Sequence, residues 1–86
     1  MDLSKYKKVE DVPPDVIEEV LLFMAQYIHD NKGDIYSWDK LSDAIMELER
    51  EHGAKGTLAL DIRTKHREKL PKLLRTIGLL SGDSHD

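Results

Sequence analysis

The chain has 86 residues, 40 % of them hydrophobic and 35 % charged, and a formal net charge of -4. That is too apolar for a disordered chain and fits one domain, which at this size buries only about 60–65 % of the surface that its unfolded form exposes. Cysteine is absent, which excludes disulfides, Cys-ligated zinc and thiol catalysis.

In chain order, residues 1–12, MDLSKYKKVEDV, are polar, with Lys5, Lys7 and Lys8 clustered. No apolar run follows the lysines, so the segment does not read as a signal peptide. It reads as a flexible N-terminal arm ahead of a single helical domain at 13–80. Pro13 and Pro14 then suit a helix start, where a missing N–H is not needed, and Asp15, Glu18 and Glu19 complement the positive helix N-terminus. Val16, Ile17, Val20, Leu21, Met24, Tyr27 and Ile28 recur at spacings of three and four, widened by Leu22 and Phe23, and mark a central helix ended by Lys32 and Gly33. The longest uninterrupted apolar stretch, Val20 to Ala25, is six residues, against roughly 20 for a bilayer span. A cytoplasmic protein without a membrane partner is expected.

Asp34-Ile35-Tyr36 reads as a link, with room for a minimal β element near 34–36, and Ser37 as an N-cap. In WDKLSDAIMELEREHG, Trp38, Leu41, Ile45, Leu48 and His52 run at 3, 4, 3, 4 and predict a core-facing stripe. Asp39, Asp43, Glu47 and Glu51 run at i, i+4 on another face, where like charges cost a few tenths of a kcal/mol per pair. Gly53 closes this helix. After the turn AKGT, Leu58, Leu60 and Ile62 alternate as in a strand. Yet Leu58, Ile62, His66, Leu70, Leu73 and Ile77 share one helical face, and the Leu, Ala, Arg, Lys and Glu content favours helix. Pro71 disfavours the α conformation at Leu70 and removes a bond to the carbonyl of Arg67, so a kink or break is expected near residue 70. A last helix, 72–77, is capped by Gly78, and residues 81–86 form a flexible tail. The fold class is all-α, a bundle of three to four helices.

Several chemistries fail on spacing. The four histidines form no H-x-x-H or H-x-x-x-H pair, so no metal or other cofactor is expected. An EF-hand starting at Asp30 would need glycine at Ile35 and glutamate at Leu41. GAKGT lacks the Walker order of glycines and lysine. Ser84-His85-Asp86 holds triad residue types on a floppy terminus, whereas catalysis needs a rigid arrangement. The chain is not read as an enzyme.

Charge is what remains. Residues 1–53 hold 6 Lys+Arg against 13 Asp+Glu, a net of -7, and residues 54–86 hold 7 against 4, a net of +3. Six of the thirteen residues of RTKHREKLPKLLR, 63–75, are basic. On a helix Lys65, Lys69 and Lys72 form one row and Arg63 and Arg67 another, on the far flank of the apolar stripe. Such residues release counterions from DNA phosphates, and Arg also reads guanine. The alternative is solvation, with Lys and Arg stems covering apolar surface.

The order of elements, with KLLRTIGLL at 72–80 matching an L-x-x-x-G-L-L ending, resembles the helix-turn-helix and winged-helix class over residues 16–80. The resemblance implies a basic third helix laid in a DNA groove, from a homodimer. On that reading the chain is a small DNA-binding regulator of transcription, with Arg63, Lys65, Arg67, Lys69, Lys72 and Arg75 on the nucleic acid. The alternative is a protein-interaction module, an adaptor, inhibitor or antitoxin-like partner. It would bind through an apolar stripe edged by Asp39, Asp43, Glu47 and Glu51.

Overall fold

All regular structure among the described residues is helical. The computed structural model describes residues 1–34 and 37–80: a 3-10 turn at Val9–Asp11, then α1 (Pro14–Asp30), α2 (Trp38–His52), α3 (Leu58–Lys65) and α4 (Lys69–Leu80). The β element expected near 34–36 falls largely on Ile35 and Tyr36, and the tail on 81–86; these lie outside the described residues.

The central element is α1, which packs most extensively on α4, then on α2 and α3. It starts as expected, with Pro13 at the N-cap, Pro14 in the first turn and Asp15 beside it. Ile17, Val20, Leu21, Met24, Ala25 and Ile28 are buried. Leu22, expected to widen this stripe, is 46 % exposed. The helix closes in a Schellman turn: Gly33 N–H donates to the Ile28 carbonyl at 2.8 Å and Lys32 N–H to that of His29 at 3.0 Å. The left-handed residue of this turn is Lys32, at φ 59°. Gly33 serves a different need. A Cβ there would stand 2.9 Å from the Cγ of Lys40 and 3.0 Å from the Cβ of Ser37.

Leu41, Ala44 and Leu48 bury one side of α2. Ser37 stands at its N-cap, but its hydroxyl serves Asp34 instead of a helix N–H, accepting from the Asp34 N–H at 2.8 Å. Gly53 ends α2 at φ 78°, and Ala54 N–H returns to the Leu48 carbonyl at 3.2 Å.

Residues 1–12 are not an arm standing off this bundle. Leu3, Val9 and Val12 are buried in the core, and Tyr6 packs against it. Leu3 N–H donates to the His52 carbonyl at 2.7 Å, satisfying an orphan acceptor of the α2 C-terminus. The His52 Nδ1–H donates to the Met1 carbonyl at 3.1 Å. Ser4 lies so close to Gly53 that a Cβ there would stand 3.0 Å from its Cβ.

Of residues 57–63, for which a strand is the competing pattern, Thr57 is the N-cap and 58–63 are helical. Leu58, Ala59 and Ile62 bury α3. The break expected near residue 70 comes slightly earlier: the chain turns at 66–68, and Leu70 and Pro71 are already inside α4. Proline's restrictions explain the shift. Pro71 clashes with the carbonyl four residues back, so the preceding helix must end upstream of it. As the third residue of α4, Pro71 occupies a position whose N–H has no intrahelical acceptor anyway. Leu70 and Ile77 carry α4 into the core, with Leu73 and Leu74 at its edge.

Candidate interaction surface between α2 and α3

Trp38, the chain's one tryptophan, is 58 % exposed rather than part of the core stripe. At about 100° per residue its direction is some 60–80° away from Leu41 and Leu48, which take the core. Trp38, Ser42, Ile45 and Glu49, spaced 4, 3, 4, form one wall of a cleft of about 210 Å³. Gly56, Thr57 and Leu60 form the other. Met46 is a further 51 % exposed beside this row on α2. The start of α2 meets the end of α3, where the Arg63 guanidinium lies over the Trp38 ring, 5.1 Å from its centre. The Arg63 Nε is covered and has no hydrogen-bond partner among the described residues.

The six bases expected to form one nucleic-acid surface are distributed over several places. Arg63 and Lys65 are two positions apart on α3, about 200° around its axis. Arg63 therefore faces Trp38, and Lys65 faces the N-terminal segment, 3.2 Å from Glu10. The Glu10 carboxyl is held below the ordinary glutamate range, first by its own backbone N–H and then by the Lys65 ammonium. Arg67 is exposed in the turn at 66–68. Lys69 reaches Glu18 of α1 at 4.0 Å. Lys72 and Arg75 are exposed on α4, and Arg75 borders a cavity of about 270 Å³ with His29, Pro71 and Leu74. Asp61 and Thr64 are exposed and, with Lys65, line a groove against Lys7, Lys8 and Glu10 of the N-terminal segment.

The acidic row of α2 is more continuous. Asp39, Asp43 and Glu51 are exposed, and Arg50 bonds to Glu47 and lies 3.5 Å from Glu51. This row does not meet the basic segment in the ion pairs described: Lys65 and Lys69 pair with Glu10 and Glu18, and Glu47 and Glu51 with Arg50 on their own helix. The α2 acid that lines the α2–α3 cleft is Glu49, which is not part of this row.

Sequence reasoning placed Trp38 in the core and did not single out Ser42, Met46, Glu49 or Leu60. The available signal was the width of the apolar set on α2. A stripe holding Leu41, Ala44 and Leu48 as well as Trp38, Ile45 and Met46 is wider than one packed neighbour can cover.

No helix among the described residues is long and apolar enough to cross a membrane. Compared with family models, with curated proteins and with solved structures, the chain matches none.

Proposed function

We propose that this chain is a protein-interaction module that binds a partner segment in the α2–α3 cleft. The observation that carries the reading is the exposed Trp38 at the mouth of an apolar cleft, with Arg63 held against it. Tryptophan and arginine are enriched among the few residues that carry most of the binding energy of protein interfaces, tryptophan through the large apolar area it buries and arginine through its charged fork of donors. Covering the exposed part of one such ring yields on the order of 2 kcal/mol. Ile45 and Leu60 extend the apolar floor, and Glu49 places a carboxylate at its edge.

The DNA-binding reading is the competing class. Its six bases point in different directions, two of them toward carboxylates of the same chain, and the exposed Asp61 stands one turn from Lys65 on the same flank of α3. These placements favour the cleft.

The test is selection of a displayed random-peptide library on the immobilised chain, beside a titration with labelled duplex DNA at about 50 mM salt, where phosphate contacts are strong. Peptides that shift the Trp38 fluorescence and lose binding to Trp38→Ala are the expected result. Duplex binding that falls steeply with salt and is indifferent to Trp38→Ala would instead establish the nucleic-acid function.

A further inference from the structure

The cleft has a direction as well as an apolar floor. Along α2 its wall runs from Trp38 to Glu49, eleven residues and so about 16 Å of helix. At the Trp38 end stands the guanidinium of Arg63, and at the other the carboxylate of Glu49. Between them lie Ile45 and Leu60. Arg50, Lys65 and Lys69 are each paired with a carboxylate, but Arg63 makes no ion pair among the described residues. Its charge is met by the face of the Trp38 ring, which attracts a cation without neutralising it.

We propose that the partner is an amphipathic segment, read in one orientation by its charge order: a carboxylate beside Arg63, apolar side chains over Ile45 and Leu60, and a cation near Glu49. This deepens the interaction reading and rests on it. If the segment is helical, its acid and base stand about eleven residues apart with apolar residues at spacings of three and four between them. Arginine and carboxylate make the strongest of the ordinary charged hydrogen bonds, often two at once, and a ring already holding the guanidinium reduces the freedom lost on pairing. A reversed segment would set its acid against Glu49 and its cation against Arg63, so the wrong orientation is opposed as well as unrewarded.

The peptides selected on the wild-type chain supply the probe. Each Trp38-dependent peptide is resynthesised with its acid changed to the amide and, separately, with its charges exchanged end for end. The chain is prepared as wild type, Arg63→Gln, Arg63→Lys and Glu49→Gln, each checked for helix content by circular dichroism. The expected result is a roughly tenfold loss when the peptide's acid becomes an amide on the wild type, and no further loss on Arg63→Gln. Arg63→Lys retains part of the coupling. Glu49→Gln couples to the peptide's cation and not to its acid, and the charge-exchanged peptides bind worst.

Trp38-dependent peptides whose acid is uncoupled from Arg63 would overturn the charge order and leave the interaction module standing. Peptides rich in Lys and Arg without apolar anchors, bound through Asp39 and Asp43, would overturn it as well. A library that yields no Trp38-dependent peptide would remove the module and the charge order together.

Discussion

Two helices of this domain open on a large apolar side chain, and the two side chains have opposite surroundings. Leu70, second in α4, is 1 % exposed and locks that helix against α1. Trp38, first in α2, is 58 % exposed and leans on Arg63. Size and hydrophobicity do not separate them. What separates them is the neighbour. The α4 start is laid along the long central helix, whereas the α2 start meets the Gly33 turn that closes α1 and the last turn of an eight-residue α3. The α1–α4 seam is therefore closed by packing, and the α2–α3 seam ends in a cleft with an apolar floor.

The sharpest break of this comparison is truncation at both places. Leu70→Ala removes a buried anchor and should cost about 2–5 kcal/mol in urea unfolding. Trp38→Ala should cost about 1 kcal/mol or less, since little packing is lost. Equal losses would mean that Trp38 is a structural residue.

A second effect concerns the helix ends. Gly53→Ala forces a left-handed Cβ against Ser4 and should cost about 1–2 kcal/mol or more in thermal melts, with residues 1–4 released from α2. Lys32 occupies the same kind of position after α1 without glycine's freedom. Lys32→Gly should therefore stabilise by about 0.5–1 kcal/mol, read as a higher urea midpoint.

The smallest effect belongs to the basic segment. Lys65→Ala and Lys69→Ala should each change stability by less than about 0.5 kcal/mol, because both pairs are surface pairs. The Glu10 carboxyl, followed by NMR, should titrate below the ordinary glutamate range and move back up in Lys65→Ala. Its folded value is depressed, so its contribution to stability is present above the unfolded value and is lost as pH falls through the folded one.

The helical class, the central α1, the proline start at 13–14 and the glycine stop at 53 were legible, because caps and apolar periodicity are local signals. The break in the basic stretch was legible in cause but not in place. Proline dictates what precedes it, and so moved the turn to 66–68. The rows of lysines and arginines assumed one continuous helix across that turn, and once it is divided they no longer share a face. The buried N-terminal segment was hidden by its lysines. Yet Leu3, Tyr6, Val9 and Val12 recur at every third residue, a spacing that structure with three residues per turn, such as a 3-10 turn, presents to one side. Trp38 could not be placed from its row alone, since its exposure depends on the length of α3.

That length has a further consequence. Eight residues leave α3 few internal hydrogen bonds, and an isolated helix this short does not persist in water. Its form is lent by Leu58, Ala59 and Ile62 pressed into the core. Among the α-helices of the described residues it is the one expected to open first in native-state amide exchange, with the free energy of a local event and not of global unfolding. Since α3 is also a wall of the cleft, an occupant that grips both walls holds this helix shut, and slowed exchange at Ile62 to Lys65 becomes a measure of occupancy.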